Sequence, residues 1–136
     1  MRSKIIVSTL ISCGDKYLFI RQKEKDDGGA YRDTLHLVGG SLEENETLEE
    51  GARREVLEEV NIKLDEITPF DFDSDVLMYK GEMTQLVFLR YTAEIPELAG
   101  EAGSDAEEIF WIPKKDLLKY NHNEPTKRFL KKLGLV

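Results

Sequence analysis

Residues 40–62 read GSLEENETLEEGARREVLEEVNI. Eight glutamates lie between Glu43 and Glu59, and within that span only Arg53 and Arg54 offset them. At 100° per residue on a helix, Glu55, Glu58 and Glu59 occupy an arc of roughly 100°. Side chains three and four apart on a helix are neighbours, and like charges at that spacing repel. An acidic helix face is often ordinary solvated surface. Here a glycine pair, Gly39-Gly40, precedes the acidic run. Glycine permits positive φ and a close approach of backbone to a ligand. A Gly-Gly turn delivering a carbonyl oxygen beside a carboxylate helix would cradle a cation. Hard divalent ions take such oxygens and usually meet substrate phosphates at the same site.

The fixed positions run Gly40, five residues, Glu46, seven residues, then Arg54-Glu55-Val56-Leu57-Glu58-Glu59-Val60-Asn61-Ile62. This spacing resembles the signature of the Nudix hydrolase superfamily, G-x5-E-x7-R-E-U-x-E-E-x-G-U, where U is aliphatic. One fixed position differs: Asn61 stands in place of the last glycine. Asn is the next most tolerant residue in the left-handed conformation that ends many helices. The resemblance implies an α/β fold, the Nudix α/β/α sandwich with a mixed β-sheet between helices, as one domain over residues 1–136.

Composition agrees with such a domain. The chain has 136 residues, 40% hydrophobic and 34% charged, with a net charge of −8. That charge argues against a nucleic-acid duplex or an acidic membrane as the main partner. It would also repel a phosphate substrate unless divalent metal neutralised the site. The single Cys13 excludes an internal disulfide and gives no hint of secretion. Met1 to Lys4 followed by IIVSTLISC has the outline of a lipoprotein signal, but Ser8 and Thr9 interrupt it. The same run reads as a β-branched strand. The expectation is a cytoplasmic protein, monomeric or homodimeric.

Along the chain, Lys4 to Ser12 and Tyr17 to Gln22 read as strands joined by a turn at Gly14-Asp15. Glu24 to Thr34, with Gly28-Gly29, reads as a loop, and Leu35 to Val38 as a short strand. Thr47 and Glu50 form a capping box that opens a helix. Leu48, Ala52, Val56 and Val60 recur every four residues and define its buried stripe. Leu64 to Leu77 and Met83 to Ile95 are long strand-like segments joined by a hairpin turn at Tyr79 to Glu82. Pro96 to Asp105 is an acidic loop and Ile109 to Ile112 a strand. Pro113 and Pro125 begin two further helices, the last stopped by Gly134.

The resemblance assigns the site. It implies Glu55, Glu58 and Glu59 as metal ligands, with the Gly40 carbonyl as a possible fourth, for Mg²⁺ with Mn²⁺ as an alternative. One of these glutamates would serve as base for attack of metal-activated water on a phosphoanhydride. Arg54 would orient glutamates such as Glu46; its other reading is a surface salt bridge of little worth. Glu46 precedes the helix N-terminus, where a carboxylate also suits the macrodipole. Nudix enzymes often place a further carboxylate in the later loop, which points to Glu108, though Glu107-Glu108 also reads as an exposed acidic loop. The two histidines, His36 and His122, lack partners at ligand spacing and read as structural.

The substrate side carries Gly39, Arg21 and Asn123. Asn123-Glu124-Pro125 resembles the base-contacting segment of MutT-type nucleoside triphosphatases, and an Asn amide suits a nucleobase edge. Asn123 equally reads as a helix cap. Arg21 sits where MutT-like proteins place a nucleotide-contacting arginine. Ile67 to Phe70 and the tail Tyr120 to Val136 resemble the bacterial pyrimidine deoxynucleoside triphosphatase branch. Val38 and Leu35 replace the proline and tryptophan usual in that strand of 8-oxoguanine-sanitising members. The expected activity is cleavage of a nucleoside triphosphate to monophosphate and pyrophosphate. The alternatives are hydrolysis of nucleoside diphosphate derivatives such as sugar nucleotides, and a non-catalytic nucleotide-binding module.

Overall fold

The computed structural model describes residues 1–23 and 33–136. The expected loop around Gly28-Gly29 lies outside the described residues. Six strands form one mixed sheet: β1 (Arg2–Cys13), β2 (Lys16–Gln22), β3 (Val38–Ser41), β4 (Thr68–Tyr79), β5 (Glu82–Glu94) and β6 (Ala106–Pro113). The order is β4-β5-β1-β2-β6, with β3 also paired to β1. Helix α1 (Leu48–Val60) and helix α2 (Glu124–Lys132) flank the sheet, with a 3₁₀ helix at Lys114–Lys119.

β1 is the centre of the sheet. One edge pairs in parallel with β5 from Arg2↔Thr84 to Ser12↔Glu94. The other edge is divided: Ile6 to Thr9 pair with β3, and Ser12 and Cys13 with β2. Strand alternation sends Val7 and Ile11 to one face and Leu10 to the other. The first face packs Ile11, Leu18, Ile20 and Val38 against Val56 and Val60 of α1. The second packs Leu10, Phe19 and Ile112 against Phe129 and Leu130 of α2.

The local signals act as read at several points. Thr47 accepts from the Glu50 N–H and Glu50 accepts from the Thr47 N–H, a complete capping box. Asn61 ends α1 at φ 54°. Lys80 and Gly81 both have positive φ, the requirement of a two-residue hairpin turn.

Three expectations need correction. Leu35 and His36 make only isolated bridges, and the short strand is Val38–Ser41, so the glycine pair lies inside a strand rather than in a turn. Neither glycine has positive φ. Leu48, in the first turn of α1, is 39% exposed, and Gly51 and Glu59 join the buried positions instead. The first long strand begins at Thr68 rather than Leu64; Leu64 is a buried core residue of the connection.

Candidate active site

A cavity of about 430 Å³ lies on the α2 side of the sheet. Ser8 of β1 and Phe88 and Arg90 of β5 line it, with Asn123 and Thr126 at the start of α2. Gly39, Gly40, Glu55, Glu58, Glu59 and Asp105 line it from β3, α1 and the loop before β6.

The glycines are required by proximity. A Cβ on Gly39 would stand 2.3 Å from the Val7 carbonyl oxygen. A Cβ on Gly40 would stand 2.6 Å from both carboxylate oxygens of Glu55. The bare strand therefore lets α1 bring its acids against the backbone. The Gly39 N–H donates to Glu59 at 2.8 Å.

Arg54 organises the cluster. Its Nε and Nη2 grip both oxygens of Glu46 at 2.9 and 2.7 Å, a bidentate pair. Nη1 reaches Glu55 at 3.0 Å and Glu58 at 3.2 Å, and Nη2 donates to the Ser41 carbonyl at 3.1 Å. The Arg54 hydrogen bonds and the Glu43 N–H hold the Glu46 carboxyl down to about 2. Glu46 itself does not line the cavity.

Burial works the other way on the remaining acids. Glu59 is only 3% exposed, and burial pushes its carboxyl up to about 8 against the Gly39 hydrogen bond, with Glu55, Asp105 and Glu58 adding repulsion. Burial likewise raises Glu55, with Arg54 opposing. The cluster is short of positive charge.

Among the described residues no three acidic, histidine or cysteine side chains already converge as a metal cage. Arg54 lies within hydrogen-bonding reach of both Glu55 and Glu58, where a cation would compete for them. The carboxylates of Glu55, Glu58 and Glu59 line this end of the cavity together with Gly40, and all offer hard oxygens. That set suits a divalent ion of the Mg²⁺ kind, as does the cradle that a Cβ at Gly40 would fill.

The other expected site residues are placed as follows. Arg21 and Glu108 bind one another at 2.6 Å as register partners across β2 and β6, and neither lines the cavity. Asp105, just before β6, does line it. The loop before β6 caps the end of α1, with Glu101 N–H on the Val60 carbonyl and Gly103 N–H on the Glu59 carbonyl. That docking carries Asp105 to the cavity. Asn123 caps α2: it accepts from the Thr126 N–H at 2.9 Å and donates to the Leu35 carbonyl at 3.3 Å. Pro125 stands at the second helical position rather than the first.

Sequence reasoning missed Arg90, which is 2% exposed on the cavity floor. It pairs with Asp71 and Asp73, donates to the Pro125 carbonyl at 3.0 Å, and lies over the rings of Phe88 and Phe129. Arg128 and Lys132 of α2 bind the same row of acids on β4. The signal was present as Asp71, Asp73 and Asp75 at period two and Arg128 and Lys132 at helical spacing.

The NUDIX domain matches residues 2–133. The chain belongs to the NUDIX family. This NUDIX chain is 29% identical over 143 aligned residues to "Nucleoside triphosphatase NudI" of Escherichia coli O17:K52:H18, covering 100% of both chains. Its fold superimposes on the MutT protein of Bacillus halodurans with a TM-score of 0.76 at 19% identity, over 94% of this chain and 80% of that one. The NUDIX domain of Shewanella oneidensis NrtR, solved with ADP ribose, gives 0.81 at 16% identity, over 98% and 87%. NUDIX hydrolases generally use divalent metal ions, so the oxygen cluster is the expected kind of site. Among the described residues no helix is long and apolar enough to cross a membrane.

Proposed function

We propose that residues 1–136 form one NUDIX hydrolase domain that cleaves a nucleoside triphosphate to a monophosphate and pyrophosphate. The observation that carries this reading is a single cavity shared by the α1 carboxylates and the start of α2. The acids provide a metal and phosphate end, and the Asn123 region a wall for the nucleoside. Full-length similarity to a nucleoside triphosphatase supports the same substrate class.

Glu55, Glu58, Glu59 and the Gly40 carbonyl are the proposed holders of Mg²⁺ or Mn²⁺. When bound, the ion supplies Lewis acidity and neutralises phosphate charge. One of the three glutamates takes the proton of the attacking water as its oxygen bonds to phosphorus, and pyrophosphate leaves. Arg54, anchored by Glu46, aims Glu55 and Glu58. The Gly39 N–H fixes Glu59. Arg54 and Glu46 are positioning residues in this scheme. Arg21 and Glu108 have no part in it.

Asn123 retains a donor hydrogen and a lone pair beyond its two structural bonds, enough to meet a base edge. A cytoplasmic location belongs to the same proposal.

A panel of nucleoside triphosphates, sugar nucleotides and ADP ribose, assayed with Mg²⁺ and with products identified, tests this reading. The expected result is monophosphate and pyrophosphate from triphosphates, abolished by EDTA and restored by Mg²⁺ or Mn²⁺. Full turnover in EDTA overturns the metal assignment, and preference for a diphosphate derivative overturns the substrate.

A further inference from the structure

The face of the sheet opposite the cavity is apolar, and among the described residues nothing covers one end of it. Helix α1 packs over β1 and β3 and leaves the β4–β5 hairpin bare. The register places Phe72 beside Leu89, Val76 beside Gln85 and Met78 beside Met83, while Val87 lies between Ser74 and Ile5. Phe72 is 73% exposed, Met78 57%, Val76 53%, Met83 47% and Ile5 41%. The polar residues among them are uncharged: Ser74, and Ser3 and Gln85, which bond one another at 3.3 Å.

That absence of charge is the informative point in a chain that is 34% charged. The acids of β4 all point to the other face, where Arg90, Arg128 and Lys132 bind them. A contiguous apolar patch on a soluble domain marks a contact surface. β4 is also the edge of the sheet.

We propose that this face is the dimer interface of the chain, occupied by the same face of a second copy. Two chains each carrying −8 repel one another, and they do so least where neither presents charge. A basic partner would be drawn to the acidic surface elsewhere, and an anionic membrane would repel the molecule. A two-fold contact sets the patch against itself, apolar on apolar, which is the self-complementarity such symmetry requires. The seven residues from Phe72 to Met78 across three strands give a flat footprint of about 300 Å², before protruding side chains are counted. A standard interface buries about 800 Å² per partner, so the association is concentration-dependent. The cavity opens on the opposite face and stays accessible in the pair.

Sedimentation equilibrium of the intact chain tests this, from about 1 µM to about 200 µM, where interfaces of this size associate. The expected result is a twofold rise in mass across the range. The variant carrying Val76→Lys and Met78→Lys stays at monomer mass, and Met83→Lys alone shifts the transition to higher concentration. These side chains are exposed in the single chain, so the melting temperature at 1 µM should be unchanged, which certifies the fold. Leu118→Lys, an exposed leucine on the 3₁₀ helix, leaves the mass rise intact. A wild type that stays monomeric throughout overturns the proposal. So does a dimer that persists in the double variant, or a mass that climbs beyond two copies.

Discussion

At the scale of single residues, Gly39 and Gly40 fail differently when given a methyl group. In Gly39→Ala the new atom meets the Val7 backbone oxygen and the Ser8 Cα, which cannot move without parting β1 from β3. The expected cost is about 1–3 kcal/mol or more, read as a lower melting temperature. In Gly40→Ala it meets only the end of the Glu55 side chain. Stability should change little while hydrolysis collapses, because Glu55 is pushed from its place. Glu58→Gln offers a cleaner separation still. Its side chain is about half exposed and holds one bond from Arg54 in metal-free protein. We expect kcat to fall by orders of magnitude with melting in EDTA within about 0.5 kcal/mol of wild type. His122 supplies a pH signature. Burial lowers its pKa against a hydrogen bond to the Leu117 carbonyl, and the ring meets Phe19 at a tilt of 55°. The unfolded chain then binds the extra proton more readily. Its contribution is complete above about pH 6.5 and is lost as the pH falls below that value. His122→Phe should flatten the slope of stability against pH there.

At the scale of elements, α2 is tied to the cavity by its first turn. Asn123→Ala removes the cap and the bond to Leu35, and stability should fall by about 1–2 kcal/mol. If the amide also meets the base, the ratio of kcat/KM between a pyrimidine and a purine triphosphate should flatten as well, and an unchanged ratio assigns it to capping alone. The two readings of Asn123 stood level in the sequence because Pro125 prefers the first helical position, which would have put the cap at Glu124 and freed Asn123. Capping signals and turn residues were legible because they act within four residues: the Thr47–Glu50 box, the Asn61 terminus and the Lys80-Gly81 hairpin all formed as read. Legibility ended where the reason for a residue lay across the fold. Gly39-Gly40 looked like a turn, since nothing local reveals that α1 will press against it. Alternation in β4 marked a strand but not which side would be buried. The acids turned inward to Arg90, Arg128 and Lys132, and Phe72 and Met78 were left outside. Asp105 was hidden because its approach depends on backbone bonds between its loop and the end of α1.

At the scale of the whole molecule, the sheet is mixed because β1 and β5 run the same way, and that pairing joins residues some eighty positions apart. The cavity lies along the first half of β1, where Lys4, Ile6 and Ser8 line it and side chains of α1 reach it beside the bare glycines of β3. The family resemblance made this architecture legible from one motif, since the carboxylate helix has a fixed place in it. It could not make the bare end of the hairpin legible, because exposure there depends on how far α1 extends.

The central strand also precedes every one of its partners in the chain. During synthesis β1 emerges as a β-branched apolar ribbon, and its long edge has no neighbour until Glu94 has been made. Local contacts cannot shelter it; only the distant strand can, which makes folding slow relative to helical domains of this size. A nascent chain halted after Gly81 should therefore show unprotected amides along the β5-facing edge of β1 in pulsed hydrogen exchange, whereas one extended past Pro113 should protect them. Early protection of β1 in the shorter chain would mean that β3 and α1 suffice to chaperone it. Until then the ribbon is the segment most open to aggregation, and the cell's folding helpers would have their task concentrated in the seconds before β5 arrives.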